Sequence, residues 1–314
     1  MGLYTARRVG LALVIVLAAM ALLFGMIYLI PGDPATIALG PLATPEMVAA
    51  FRARMGLDRP LPIQFWNFVS HAVRADLGVD VWSERPVRRI IAETLPHTLV
   101  LTATGLGWAV LVGIPLGCYS ARYRHSLADR ISGVLSVGFI TVPSFVVALL
   151  LLLVFAVSLR WFPAIGAGEP GDLRDQLSHL VLPSVAIGLG WVGYLARLVR
   201  ASMLEVLGES HIRTLRAFGL PERRVVLHYA LRLAILPTIA LLGIGVGRLL
   251  SGAVFAEIVF ARPGIGKLIY DAVLARNYPV VMGAVLITTA LFVLSTLVAD
   301  LVAAWCDPRV RQSL

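Results

Sequence analysis

Charge is scarce in this chain: acidic and basic residues make up 14% of its 314 positions, against about 25% in an ordinary soluble domain. With 59% hydrophobic residues and a mean hydropathy of +0.86, that shortage excludes a soluble globular protein and indicates an integral membrane protein. Catalytic signatures are missing as well. The six histidines form no H-E-x-x-H pair and no G-x-S-x-G occurs, so neither zinc-dependent nor serine hydrolase chemistry is supported. Gly264-Ile-Gly-Lys267 falls short of a phosphate loop, because Ala261 stands where the first glycine is required and Leu268 follows the lysine. The chain is therefore not expected to hydrolyse nucleotide, and no catalytic residue, metal site or bound cofactor is expected in it. Cysteine is limited to Cys118 and Cys306, both near the expected inner membrane face, where reduced, unpaired thiols are the rule. Internal repeats and low-complexity stretches are absent.

Long apolar runs are what the chain has in abundance. About 20 apolar residues cross the roughly 30 Å hydrocarbon core as a helix, and six such runs lie near 9–30, 99–119, 131–159, 180–198, 237–260 and 280–305. The third is long enough to tilt. Ala19-Met-Ala21 resembles a signal cleavage site, yet the first run continues through Leu22, Leu23, Phe24, Met26 and Ile27, so a retained span is expected. Short cytoplasmic loops favour Lys and Arg. Placing the amino terminus inside puts fourteen basic residues in inner segments and five in the two short outer loops, which predicts that both termini are cytoplasmic. The inner segments alone account for the net charge of +9, so anionic lipid and partners explain the basic balance and nucleic-acid binding is not indicated.

These boundaries predict a cytoplasmic amino terminus over 1–8, a first span over 9–30, an outer helical segment over 31–98, a five-span core over 99–305 with a cytoplasmic loop near 199–236, and a cytoplasmic tail over 306–314. Within the outer segment, Thr44-Pro45-Glu46 predicts a helix start and Gly56 its end. Ile63, Trp66, Val69, Val73 and Leu77 recur at helical spacing and predict an amphipathic helix over 62–77, stopped by Gly78 and suited to the bilayer surface or a partner. Gly113 to Gly117 and Gly243 to Gly247 are spaced for close helix contact, as is the cluster Gly188, Gly190 and Gly193. Pro115, Pro143 and Pro183 interrupt helical hydrogen bonding, which membrane helices tolerate beside neighbours or cavities.

Arg248, Glu257 and Asp300 lie in or beside spans, where a charge costs about 2.5 to 3.5 kcal/mol on insertion scales and so faces protein or water. Arg248, midway through the fifth span, is the candidate for meeting a solute carboxylate in a pathway. Pairing with another helix is the alternative. A place on a solvated wall is a further alternative for Arg248; Glu257 near the outer end is expected to reach water, and Asp300 near the inner interface to be structural.

The segment from Arg213 to Val225 is the strongest candidate site. A helix ending at Gly219, a turn through Pro221 and a second helix carrying Arg223 and Arg224 form an elbow that lipid crossing does not require. Ile212, Leu215 and Phe218 recur every three residues, predicting an apolar ridge flanked by Arg213 and Arg216 and suited to a soluble partner. Glycine at the helix end permits a left-handed backbone and close approach. A basic amphipathic helix lying on anionic lipid is the alternative.

Further residues, spread over nearly the whole chain, carry a resemblance. They are Pro31-Gly-Asp-Pro34, Gly56-Leu-Asp58 with Pro60-Leu61 and Gln64, Asp76-Leu-Gly78, Pro86-Val87, Thr94-Leu-Pro96, Gly113-Ile-Pro-Leu-Gly117, Asp129-Arg130, Pro143-Ser-Phe145, Trp161-Phe-Pro163, His179-Leu180 with Leu182-Pro183, Pro263-Gly-Ile-Gly266 and Asp307-Pro-Arg309. In order and spacing they resemble the inner-membrane permease subunits of bacterial ABC importers for dipeptides, oligopeptides and nickel. The resemblance implies an all-α membrane protein of six transmembrane helices with type I ABC importer permease architecture. It implies two ABC ATPase subunits, on which ATP and magnesium act, together with a homologous second permease and a periplasmic binding protein that delivers a solute, most often a di- or oligopeptide. It aligns Gly219 with the glycine of the family's ATPase-coupling loop, making Ile212, Arg213, Thr214, Leu215, Arg216, Ala217, Phe218, Gly219, Leu220, Arg223 and Arg224 the coupling residues. Leu215 replaces the usual alanine, Phe218 precedes the glycine, and Arg232 stands where many members carry proline. The rival reading is a proton-coupled secondary transporter with Arg248, Glu257 and Asp300 as relay, for which no inverted repeat is found.

Overall fold

The computed structural model describes residues 2–29, 36, 43–55 and 58–306. The Pro31-Gly-Asp-Pro34, Gly56-Leu57 and Asp307-Pro-Arg309 motifs and the tail from 307 lie outside these residues. Among the described residues there is no strand, and the single non-helical pairing is an antiparallel bridge between Val79 and Pro86. The principal helices are α1 (Gly2–Leu29), α2 (Pro45–Met55), α3 (Leu61–Val73), α4 (Val87–Arg122), α5 (Leu127–Thr141), α6 (Ser144–Leu151), α7 (Leu173–Leu207), α8 (Ser210–Ala217), α9 (Glu222–Arg224), α10 (Leu236–Val259), α11 (Ile265–Leu274) and α12 (Tyr278–Cys306). Five are long and apolar enough to cross a membrane, or six if the bent pair α5 and α6 counts as one span.

The chain divides into two compact units. One comprises His97–Arg262 with Ser295–Leu314, the other Gly2–Pro96 with Pro263–Leu294.

The first unit is organised on α7. Asp172 caps its start, accepting from Arg174 N at 2.9 Å and Asp175 N at 3.2 Å, and so satisfies donors that a helix start leaves open. Small residues then let two neighbours approach closely. A Cβ added to Gly117 of α4 would meet the Ala196 carbonyl at 2.6 Å, and one added to Gly193 of α7 would meet the Ser136 carbonyl of α5 at 2.5 Å. At Gly117 and Gly193 the close contacts are thus backbone-to-backbone packing. Trp108 Nε1 donates to the Ser184 carbonyl at 2.8 Å, adding a polar tie between α4 and α7.

The third apolar run is not one tilted helix. Val142 takes an extended conformation (ψ 122°) before Pro143, as crowding by a following proline ring favours, and the chain turns by 101° between α5 and α6. Beyond Leu151 the helix widens through Leu152–Ser158.

In the second unit Thr44 caps α2 as expected, its hydroxyl accepting from Met47 N at 3.3 Å. The helix expected to reach Leu77 instead ends at Val73. Ala75 adopts φ 57° while Ala75 N and Asp76 N turn back to the Ala72 and His71 carbonyls, a left-handed cap achieved without glycine. Its predicted apolar face is also not its packed face. Phe65 and Phe68 meet Phe24 of α1 at 5.4 and 6.4 Å between ring centroids, whereas Ile63, Trp66 and Val73 stay exposed. Asp80 fixes the next loop by accepting from Trp82 N at 3.1 Å, the Ser83 hydroxyl and Asn277 Nδ2. These bonds hold its carboxyl below the usual carboxylate range against the opposing effect of burial, the largest single influence.

Candidate functional site

The elbow begins where α7 ends. Gly208 N bonds back to the Glu205 carbonyl at 3.1 Å, and α8 starts two residues later. At the far end of α8, Gly219 N donates to the Arg216 carbonyl at 2.9 Å and Leu220 N to the Leu215 carbonyl at 3.3 Å, while Gly219 takes φ 78°. These paired bonds form a Schellman cap, in which the left-handed residue lets the last carbonyls find donors. Leu215 and Leu220 both pack against the buried cluster beneath. Pro221 opens α9, and its carbonyl accepts from Arg224 N at 2.8 Å and Val225 N at 3.1 Å. The chain then runs through wide helical turns over Val225–Ala230 and a last short turn over Leu231–Ala234.

The ridge predicted for a partner divides between inside and outside. Ile212 is 0% exposed and packs with Met203 and Val206 of α7, Cys118 and Ala121 of α4, and Val225, Val226, Ala230 and Ala234. Leu215 is half-buried in the same cluster, whereas Phe218 is 78% exposed. Hydrophobic periodicity identified a face of α8 but not what it faces, and most of that face is the elbow's own anchor. The surface left outside consists of Arg213, Thr214, Arg216, Ala217, Phe218, Gly219, Pro221, Glu222, Arg223 and Arg224.

Two ion pairs brace the elbow. Arg216 grips Glu222 with Nη2 at 2.7 Å and Nε at 3.1 Å, joining α8 to α9 across the turn. The Arg216 hydrogen bonds hold the Glu222 carboxyl below its ordinary range, and Glu222 in turn raises Arg216. Behind the elbow, Arg200 of α7 holds Asp129 of α5 in the same two-toothed fashion, at 2.6 and 2.8 Å. Asp129 is buried, and its Oδ2 also accepts from His125 N at 3.0 Å. This second pair was missed at the sequence level. Asp129 three residues after Ser126 reads as a helix-start acid, and nothing local points to an arginine 71 positions away.

Arg248 stands apart from the elbow, midway along α10. It is exposed on the subunit, and among the described residues it has no hydrogen-bond or ion-pair partner. Glu257 does not reach water as expected. It is fully buried and accepts from the Thr98 hydroxyl at 2.6 Å, because the carboxy-terminal half of α10 packs with α4 through Leu101, Ala253 and Ala256. Asp300 is half-buried. No group of three His, Cys, Asp or Glu able to hold a metal occurs among the described residues.

Residues 113–312 match the family described as binding-protein-dependent transport system inner membrane component, and residues 1–102 match its amino-terminal companion. The chain belongs to this permease family. Among its relatives is the glutathione transport system permease protein GsiC of Salmonella typhimurium strain LT2, 38% identical over 97% of both chains. GsiC of Escherichia coli strain K12 is 39% identical over 92% of both. The fold of the permease also resembles a chain of the MetNI methionine ABC transporter solved in inward-facing conformations, with TM-score 0.56 and 17% identity, covering 69% of this chain and 96% of that one. A second crystal form of that transporter gives TM-score 0.57. This permease is therefore an all-α, multi-pass inner-membrane subunit of an ABC importer of the peptide and nickel type, with type I permease architecture.

Proposed function

We propose that the permease forms one half of the membrane channel of an ATP-driven importer for short peptides, and that the elbow from Glu209 to Arg224 is where an ATPase subunit drives it. The observation that carries this reading is the elbow's division into an anchored inside and a bare outside. Ile212, Leu215 and Leu220 fasten it to α4 and α7, while Phe218, Arg213, Arg223 and Arg224 are all exposed on the elbow. An exposed aromatic side chain on a segment rich in exposed arginines is the composition of an interface anchor. A partner pushing on Phe218 displaces the cluster, and with it the ends of two membrane helices.

The remaining parts follow from family membership and chemistry. ATP and magnesium act on two partner ATPase subunits, a homologous second permease completes the channel, and a periplasmic binding protein delivers the solute. The arginine distribution supports cytoplasmic termini and a cytoplasmic elbow. Glutathione, named for the curated relatives, is itself a tripeptide, so a short-peptide substrate class suits both readings of the family. ATP binding by the ATPase pair favours one of two channel states through the elbow, and hydrolysis restores the other. The proton-relay alternative loses support because Arg248 and Glu257 lie nine positions apart on α10, about 14 Å along the axis, and Glu257 is occupied with Thr98.

The test is co-purification of the ATPase subunits with Phe218→Ala and Gly219→Leu variants. Both positions are exposed and lie outside the apolar runs, so membrane insertion is expected to be retained; a Cβ at Gly219 meets no atom within 4 Å, but leucine there strains the left-handed turn (φ 78°), whereas Phe218→Ala removes the aromatic alone. Loss of a central aromatic anchor reduces partner retention about tenfold or more. Unchanged retention and uptake in both variants refutes the docking role, and solute uptake by the chain alone under a pH gradient refutes the ATP-driven reading.

A further inference from the structure

We infer that Arg248 lines the aqueous passage and binds the carboxylate of the passing solute, with Ser251 and Phe255 beside it on the same stripe of α10. The inference rests on the peptide-importer reading and adds a recognition site inside the membrane.

Three observations converge on it. First, α10 has two unlike faces. Leu249, Ala253 and Ala256 pack into a buried cluster with Leu101, Leu180 and Ile187, whereas Ile244, Arg248, Ser251 and Phe255, spaced at helical intervals, are all exposed. Gly252 beside them has no atom within 4 Å of an added Cβ, leaving space along the stripe. Second, Arg248 has no hydrogen-bond or ion-pair partner among the described residues. A guanidinium with five donors against lipid tails is strongly disfavoured, so this face meets water or another charge in the assembled importer. Third, the stripe adjoins the break between α5 and α6. The Phe255 ring sits 6.0 Å from that of Phe145, two residues past Pro143, and Thr141, Val142 and Pro143 are exposed. Non-helical backbone at membrane depth persists only where protein covers it or water lines it. One water-lined passage along this side satisfies both the broken helix and the unpaired arginine.

The chemistry favours a solute carboxylate as occupant over a permanent acidic partner. Arginine offers planar two-toothed binding to carboxylate, and every short peptide with a free carboxy terminus carries that group. A permanent ion pair at this depth would bury two charges for no gain in transport.

Two measurements on the importer assembled with its ATPases, second permease and binding protein test the inference. In a background with Cys118 and Cys306 replaced by alanine, Arg248→Cys is expected to react with a membrane-impermeant anionic methanethiosulfonate about tenfold or more faster than Val14→Cys on the exposed apolar surface of α1. Arg248→Gln is expected to lower uptake of glutathione and of trialanine about tenfold, as loss of a charge-assisted bond implies. Assembly of the complex should stay intact, and Arg248→Lys should retain uptake within about threefold, because charge survives and only the fork is lost. An inert Arg248→Cys in the intact complex, undiminished uptake by Arg248→Gln, or loss of assembly in Arg248→Gln overturns the inference; the last identifies an acidic partner instead. Should neither peptide be carried by the unmodified importer, the peptide reading fails while the labelling comparison still decides where Arg248 faces.

Discussion

At the level of single residues, the elbow is defined by Gly219, Arg216 and Glu222. Gly219 supplies the left-handed turn (φ 78°), a conformation that costs other L-residues roughly 1 to 2 kcal/mol. Arg216 and Glu222 then fasten the two sides of that turn. Because pairing lowers the Glu222 pKa from its ordinary 4.5, its stabilising contribution is fully present above that value and fades as pH falls through the depressed one. Both side chains are about two-fifths exposed, so screening keeps the effect modest. Amide exchange across 210–224, measured from pH 7 down to pH 3, is therefore expected to speed up beyond its intrinsic pH dependence only at the acid end, and Glu222→Gln should remove that extra step. An identical profile in the variant would show that the pair does not brace the turn.

Secondary elements show what the amino-acid order made legible. The end of α8 at Gly219 was readable because a left-handed cap has a residue type that favours it. The end of α3 at Val73, capped by left-handed Ala75, was not, since alanine carries no such signal and local hydrogen bonds impose the same geometry. The direction of the α8 ridge was equally hidden: spacing places Ile212, Leu215 and Phe218 on one face, and only α4 and α7 decide that two of them point inward. Likewise Pro143 announced a break in helical bonding, but an apolar run reads the same whether the chain bends by 101° there or merely tilts. From the observed packing, Ile212→Ala should loosen α8 by about 2 to 5 kcal/mol, and Ile212→Val by less than about 1.5 kcal/mol. Limited proteolysis near Arg213 should report this as faster cleavage in the alanine variant alone. Equal resistance would mean that the buried cluster does not hold the elbow.

On the scale of the whole molecule, family membership and the helical architecture were legible because they rest on motifs spread from Pro31 to Arg309 and on apolar runs that lipid dictates. The Asp129 to Arg200 bond, which ties α5 to α7, was not, because it exists only once the chain has folded. The arginine distribution predicts that the elbow and both termini share the cytoplasmic side. Single cysteines at Arg223 and Thr5 in spheroplasts should resist an impermeant maleimide until the membrane is opened, while one at Arg174 should react at once. Labelling of Arg223→Cys from outside would reverse the topology.

The bare stripe on α10 also bears on how such a subunit is made. If the proposed second permease covers this side, a newly inserted chain presents Arg248 and the exposed turn at Thr141 to Pro143 uncovered until that companion arrives. An orphan subunit is thereby marked as unfinished, and membrane quality-control proteases gain a handle on any copy produced in excess. On the proposed two-permease channel, matched synthesis of the two halves then follows from one helix face.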